Sequence, residues 1–380
     1  MACSAPEHQT PCLLLDLPKV RRNIERMHQR LAALGVDLRP HGKTAKNIDV
    51  MRLALAGQSG GVTVSTLKEA EYYFEHGVTD LIYAVGIAPQ KLARVAALME
   101  SGAAVTMLLD SLTQVEMLNE AGLQMKKQFH ALIEIDCDGH RSGLSPGSDE
   151  LIGVAESLAA APMVDFRGVL THAGGSYACR SVAELRQMAE TERLAAVTAA
   201  ERIRAAGISC PVVSVGSTPT ATFAQNLDGV TEVRAGVFVF QDLVMTGLGV
   251  CGAEDVGLSV LTSVIGHQAS KDWIMIDVGW MALSRDRGTA DHELDQGYGL
   301  VCAADGSIFQ DLIVVDTNQE HGVIADRHGR AIDPNDFPVG TQLRILPNHA
   351  CATSAMFDHY IVLDAESPAE PQRWDRIHGW

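Results

Sequence analysis

Apolar residues in the first two thirds of the chain gather in short β-rich runs separated by longer stretches of helical spacing. The runs fall at 36–38, 62–64, 81–85, 105–109, 131–135, 168–171, 212–215 and 233–240. Between or beside them, 21–34, 67–76, 91–101, 111–121, 149–161, 182–206 and 219–226 repeat apolar positions at about one helical turn. Strands alternating with helices in this way predict a (β/α)8 barrel, with an open doubly wound sheet as the alternative. Gly35, Gly77, Gly102, Gly122 and Gly207 close five of the helical stretches, where left-handed C-caps are expected.

Beyond residue 250 the helical stretches disappear. β-rich runs at 258–266, 273–278, 300–303, 312–315, 322–324, 342–346 and 360–363 follow one another directly, which predicts a second, mostly antiparallel β domain. The expected division is therefore a barrel over 1–250 and a β domain over 251–380, with the extreme N-terminus packing on the β domain. No solenoid-type repeat, low-complexity tract or long linker interrupts the pattern.

With 380 residues, 47% of them hydrophobic, the chain is long enough for two well-packed domains. A formal charge of -17 with scattered lysines and arginines disfavours nucleic acid, which requires a basic stripe. Residues 1–7 lack a basic segment followed by an apolar one, and no apolar run approaches bilayer length. Eight cysteines without a C-x-x-C pair read as reduced thiols. Cytoplasmic placement is the expectation, with no membrane partner.

In a barrel of this kind the C-terminal ends of the strands build the active site. Here the first strand leads into Arg39-Pro40-His41-Gly42-Lys43-Thr44, and the fifth into Asp136-Cys137-Asp138-Gly139-His140-Arg141-Ser142-Gly143. The sixth leads into Thr171-His172-Ala173-Gly174-Gly175-Ser176-Tyr177, the seventh into Gly216-Ser217-Thr218-Pro219-Thr220, and the eighth holds Arg234-Ala235-Gly236-Val237. Singly these have plain readings: a solvated lysine, a helix N-cap, a surface arginine, a core histidine. On consecutive ends of one barrel face they are more specific. Small residues and hydroxyls before a helix suit a phosphate, and with a lysine opposite the simplest occupant is pyridoxal 5′-phosphate.

These segments, with Pro347-Asn348-His349-Ala350-Cys351, resemble the fold-type III pyridoxal-phosphate enzymes of alanine-racemase-like fold, and among them the D-serine dehydratase and D-threonine aldolase group. The resemblance covers nearly the whole chain from Thr10-Pro11. It implies that Lys43 is the Schiff-base lysine, that His172 stacks on the cofactor ring, and that Arg141 approaches the phenolic oxygen. Ser217, Thr218, Gly236 and Val237 would hold the phosphate, and Tyr177 would meet the ring nitrogen or the substrate. The chain departs from the family at Ala45, where a histidine is usual.

His349 and Cys351 carry the remaining chemistry. As i and i+2 of a strand they would share one face about 7 Å apart and converge on a cation. Imidazole with thiolate favours zinc, manganese, cobalt or a similar divalent ion over magnesium. Without a relative to compare, the pair reads as a buried cysteine beside a structural histidine. The resemblance places a carboxylate at the second position in the aldolases and a cysteine in the dehydratases, and so implies a dehydratase. Glu320-His321-Gly322 also resembles family sequence, either near the metal or as a solvated turn.

The implied activity is a lyase acting on small β-hydroxy D-amino acids, D-threo-3-hydroxyaspartate first and D-serine next, to give a 2-oxo acid and ammonia. Lys43 would take the α-proton, and the metal would act as Lewis acid for the departing β-hydroxyl. Lys46, His140 and Tyr177 are the candidates for a second carboxylate of the substrate. A racemase or a non-catalytic cofactor-homeostasis protein are the alternatives from other classes. Family resemblance further implies a homodimer.

Overall fold

The structure, a computed structural model, describes residues 8–364 and 372–380. Residues 1–7, where no leader is expected, lie outside them. Two compact units are present: Arg26–Gly236 with Gly379–Trp380, and Met1–Glu25 with Val237–His378.

The described chain opens with β1 (Cys12–Asp16) and α1 (Leu17–Ala33). It continues through β2 (Asp37–Pro40), α2 (Ile48–Leu55), β3 (Val62–Val64), α3 (Leu67–Glu75), β4 (Asp80–Gly86), α4 (Leu92–Glu100), β5 (Ala104–Leu109) and α5 (Leu112–Met125). Next come β6 (Phe129–Ile135), α6 (Asp149–Ala160), β7 (Val164–Thr171), α7 (Val182–Ala205), β8 (Val212–Val215), α8 (Thr218–Phe223) and β9 (Glu232–Ala235). Strands β2 to β9 form one parallel sheet in the order 2-9-8-7-6-5-4-3. Its two ends meet where His41 bridges Thr63 and the Gly42 N–H donates to the Thr63 carbonyl at 2.8 Å. The sheet is thus a nearly closed barrel, not an open doubly wound one.

The periodic pattern locates every barrel strand, and the structure corrects details of it. The run 233–240 is strand only to Ala235; Val237–Val239 turn into a 3₁₀ helix. The final helical stretch, expected to reach 226, ends at Phe223. Gly35, Gly77, Gly102 and Gly207 do adopt positive φ, but Gly122 lies inside α5, which ends at left-handed Lys126. A Cβ on Gly122 would come within 2.5 Å of Met163 Cβ, so that glycine serves close packing rather than capping. The unforeseen α2 is short and starts at Asn47, whose side chain accepts the Val50 N–H at 2.9 Å.

A chain of polar groups runs through the barrel wall. Arg39 Nε donates to Glu232 at 2.7 Å, Ser214 Oγ donates to the other Glu232 oxygen at 2.6 Å, and Arg234 Nη1 donates to Ser214 at 2.7 Å. Arg234 Nη2 reaches the Thr171 carbonyl at 2.6 Å. These groups supply one another's hydrogen bonds, although Arg39 Nη1 is left without a partner among the described residues.

The second unit contains α9 (Leu243–Gly247), β10 (Leu258–Gln268), β11 (Trp273–Ile276), α10 (Trp280–Leu283), β12 (Leu300–Ala303), β13 (Ile308–Thr317) and β14 (Gly322–Asp326). It is completed by β15 (Gln342–Leu346), α11 (Ala350–Ser354), β16 (His359–Leu363) and β17 (Gln372–Asp375). The nine-stranded sheet runs 11-14-13-12-15-10-1-16-17 and is antiparallel except between β1 and β16. The N-terminal β1 is inserted between strands from the far end of the chain, pairing Cys12 with Leu261 and Leu14 with Ile361. This unit begins at Val237, ahead of the expected boundary at 251. Its early residues are tied into it: Leu243 N–H donates to the Pro347 carbonyl at 3.0 Å, and Leu243 joins Val256, Leu300 and Leu346 in one core cluster. Among the described residues no helix is long and apolar enough to cross a membrane.

Candidate active site

Lys43 sits on a turn that the structure holds tightly. His41 N–H donates to the Ala235 carbonyl at 2.7 Å, and the Tyr73 hydroxyl donates to the Gly42 carbonyl at 3.0 Å. A Cβ on Gly42 would lie 2.3 Å from the Tyr73 ring, so only glycine lets this backbone rest on that buried aromatic. Lys43 itself is exposed, and its ammonium has no carboxylate or hydrogen-bond partner among the described residues. Lys46 is different. It takes φ 47, closes the turn on the Gly42 carbonyl at 2.8 Å, and pairs with buried Glu69 at 3.4 Å. That pairing removes its charge from the free cations, while Ala45 is wholly buried.

His172 follows β7, and its Nδ1 lies 2.9 Å from the Gly216 carbonyl. Because a carbonyl only accepts, Nδ1 carries the proton and Nε2 is bare. Burial, reinforced by Arg234, Lys43 and Arg141 and opposed by the Gly216 bond, lowers the ring to about 4. His41 is pushed well below its ordinary value by burial and by Lys43, Arg234 and His172. Lys43, Arg141 and His172 therefore lie within one electrostatic neighbourhood, with both histidines neutral. Arg141 is exposed and touches Glu134 at 3.2 Å, and Tyr177 places its ring centroid 6.5 Å from that of His172. His140 packs on the same face: a Cβ on Gly174 would come within 2.2 Å of its ring, and Gly175 N–H donates to Asp138 at 2.7 Å.

The loop after β8 is built from buried small groups. Gly216 has φ +135, and a Cβ there would lie 2.2 Å from the Arg234 carbonyl, so β8 and β9 meet without a side chain between them. Ser217 caps α8, accepting the Thr220 N–H at 3.2 Å while Ser217 N–H donates to Thr220 Oγ1 at 3.0 Å. Its hydroxyl also lies 3.0 Å from Ser176 Oγ. Ser217, Thr218 and Thr220 are all buried. Gly236 lets the turn that carries Lys43 come close: a Cβ there would meet Thr44 Oγ1 at 3.0 Å and His41 Cβ at 3.2 Å. Val237, next in the chain, is buried and opens the 3₁₀ turn. The donor-rich loop, the bare backbone at Gly236 and a lysine without a partner among the described residues suit an anionic aldehyde cofactor.

In the second unit, His349 and Cys351 do not lie on a strand. β15 ends at Leu346, and His349 stands at the N-cap of α11, so the turn of that short helix presents the pair. His349 Nδ1 lies 2.6 Å from Asp286, and its ring also hydrogen-bonds with Cys351. Burial alone would lower the imidazole, but Asp286 and Cys351 lift it to about 11. Buried Asp242 fixes the helix start, accepting Ala350 N–H at 3.0 Å and Met245 N–H at 3.0 Å. Burial raises the Asp242 carboxyl, against the nearby His349 charge. Among the described residues no group of three or more His, Cys, Asp or Glu is arranged to hold a metal ion. The pair fits a cation as two donors, an imidazole backed by a carboxylate and a thiol, leaving other positions for non-protein ligands.

One contact of this pair, Asp286, and its chain neighbour Arg285 escaped sequence reasoning. Asp286 and Arg285 lie in the irregular Ser284-Arg285-Asp286-Arg287 stretch, whose only signal is charge in a loop. Ser284 holds φ 70 there, and Arg285 stacks over Trp280 at 4.1 Å from the ring centroid. Glu320 and His321 are exposed, and the Asn318 and Gln319 carbonyls before them accept N–H groups from α10. In the barrel unit the overlooked residue is Glu192, hidden in the apolar rhythm of α7.

A parallel barrel bearing a strand-end lysine, followed by a mostly antiparallel β unit, is an alanine-racemase-like arrangement. The alanine racemase N-terminal domain family matches residues 15–243, and the putative serine dehydratase domain family matches 257–363. The chain belongs to this D-serine dehydratase family of alanine-racemase-like proteins. It is 50% identical over 376 residues to D-threo-3-hydroxyaspartate dehydratase of Delftia sp. (strain HT23), covering 98% of each chain. Identity to D-serine dehydratase of Dictyostelium discoideum is 29%, over 94% of each. The solved structure of the Delftia enzyme superposes with a TM-score of 0.95 at 49% identity, covering 98% of this chain and 99% of that one. A variant of a D-threo-3-hydroxyaspartate dehydratase described as in the metal-free form gives 0.96 at 49% identity, again over 98% and 99%.

Proposed function

We propose that this chain is a pyridoxal-phosphate- and divalent-metal-dependent dehydratase of β-hydroxy D-amino acids, converting D-threo-3-hydroxyaspartate to oxaloacetate and ammonia. The observation that carries the reading is the pairing of two features in one chain. Lys43 is an amine whose charge reaches the neutral ring of His172, and a second unit holds His349 against Asp286 and Cys351. Half-identity to a D-threo-3-hydroxyaspartate dehydratase supports the choice among relatives.

When bound, the cofactor would supply an electron sink at the α-carbon, and the metal a Lewis acid for the β-oxygen. The rest falls to the chain. Lys43 would tether the cofactor and then hold the α-proton. Arg141 would approach the phenolic oxygen, and Tyr177 would border the ring or substrate. His172, fixed by the Gly216 carbonyl, would present a flat neutral ring. Ser217, Thr218, Gly236 and Val237 would receive the phosphate. His349, oriented by Asp286, and Cys351 would hold the metal.

One observation favours a dicarboxylate substrate over D-serine. Arg285, next to Asp286, is exposed and stacked on Trp280, and no carboxylate among the described residues pairs with it. A guanidinium so held is open to an anionic substituent. Lys46, committed to Glu69, is a poorer candidate. D-serine dehydration to pyruvate is the second reading.

The test is a product assay on metal-reconstituted protein with D-threo-3-hydroxyaspartate, D-serine and D-threonine, each repeated after chelation. Ammonia with oxaloacetate, abolished by the chelator, is the expected result. Glycine with an aldehyde would make the protein an aldolase, racemised substrate without metal dependence a racemase, and cofactor binding without turnover a homeostasis protein. A homodimer in the reducing cytoplasm completes the proposal; sedimentation of the holoprotein reads the oligomeric state.

A further inference from the structure

We propose that Glu192 is the positioning residue of the phosphate loop, setting the direction of the hydroxyl chain Thr220–Ser217–Ser176 so that Ser217 offers its proton to the cofactor phosphate. This rests on the cofactor reading above.

Glu192 lies within α7 and is 2% exposed. A buried carboxylate persists only where its oxygens are filled by donors. Three fill it here. The Ala173 N–H donates at 2.8 Å, and the Gly216 N–H and the Thr220 side chain also hydrogen-bond to it. These donors come from the segment after β7, the segment after β8, and α8. One carboxylate therefore joins the backbone next to His172 to the backbone that carries Ser217. Gly216 is held from both sides, its N–H on Glu192 and its carbonyl on His172. Burial pushes the Glu192 carboxyl upward, and the three donors with buried Arg234 oppose that.

The direction of the hydroxyl chain follows from proton counting. An ionised carboxylate only accepts, and it is a stronger acceptor than the Ser217 carbonyl 3.3 Å from Thr220 Oγ1, so the single Thr220 hydroxyl proton points to Glu192. Thr220 Oγ1 is then an acceptor for Ser217 N–H at 3.0 Å and has no proton for Ser217 Oγ, 2.9 Å away. Ser217 Oγ already accepts the Thr220 N–H at 3.2 Å. Its own proton is left to donate, to Ser176 at 3.0 Å or to an arriving phosphate oxygen. The phosphate is the stronger acceptor because it is charged. A glutamine at 192 could still accept from Ala173 while donating to Thr220, which would reverse the chain and turn the Ser217 lone pair toward the anion.

The experiment is titration of the apoprotein with pyridoxal 5′-phosphate, together with the ³¹P resonance of the bound phosphate, for Glu192→Gln, Ser217→Ala and the double variant. Expected are a loss of cofactor affinity of about tenfold in each single variant, a moved ³¹P resonance in Glu192→Gln, and a double variant no weaker than Ser217→Ala. Unchanged affinity and resonance in Glu192→Gln would overturn the proposal, as would losses that add in the double variant. Thr220→Val, which cuts the relay and leaves Glu192 in place, serves if Glu192→Gln does not fold; wild-type affinity there would equally overturn it. Failure of the unsubstituted protein to bind the cofactor would instead overturn the cofactor reading itself.

Discussion

The Asp286 carboxylate lies 2.6 Å from Nδ1 of His349, although 63 residues separate them in the chain. An acceptor at that distance holds the Nδ1 proton and turns Nε2 toward any cation shared with Cys351. Carboxylates that orient a ligating histidine typically contribute 10–100-fold to metal affinity. Asp286→Asn is therefore expected to weaken zinc or manganese binding by about that factor, read by competition with a chelator, while the far-ultraviolet circular dichroism stays unchanged. Unaltered affinity would mean that His349 is oriented by something else.

Lys43 has no partner of its own among the described residues, so its removal breaks no structural bond. Lys43→Ala is expected to retain the wild-type melting temperature of the apoprotein within a few degrees. The visible absorbance of the lysine–cofactor linkage should vanish, and turnover should fall by roughly a thousandfold or more. Retained turnover would refute the assignment.

His172 gives a pH signature with a definite sign. Its folded value is about 4 against an ordinary 6.5, so the unfolded chain takes up the proton first as the solution is acidified. The stability of the neutral ring is fully present above about pH 6.5 and is lost as pH falls toward 4 and through it. Thermal melts across that window should slope downward with acid, and His172→Phe should flatten the slope. A parallel slope in the variant would assign the acid sensitivity to other groups.

Arg285 separates the two substrates. Arg285→Gln is expected to lower kcat/KM for D-threo-3-hydroxyaspartate by about 10–100-fold, the range of a charge-assisted contact. D-serine should change by less than about threefold on the same argument. Equal losses on both would make Arg285 a general support of the Asp286 loop.

The alternation of strand and helix was readable because it depends on neighbours in sequence: Val62–Val64 and Val212–Val215 lie where apolar runs and flanking turns place them. The strand-end motifs were readable for the same reason, since once a barrel is accepted its strand ends share a face. The geometry of His349 and Cys351 was misjudged, because a strand continuing past Leu346 and a helix starting at Ala350 leave the same residues two apart.

What the sequence by itself determined was therefore the class of fold, the switch to an antiparallel unit, and the list of residues whose chemistry suits a phosphate, an aldehyde and a metal. Tertiary structure alone decided which of those residues are free and which are committed. It gave Lys46 to Glu69 and left Lys43 open, set β1 between β10 and β16, and brought Asp286 to His349 and Glu192 to the loop after β8. The reason is range. Periodicity and turn signals act over a few residues, whereas the partner of a charge or a buried hydroxyl is chosen by packing between segments far apart in the chain, and no local pattern records it.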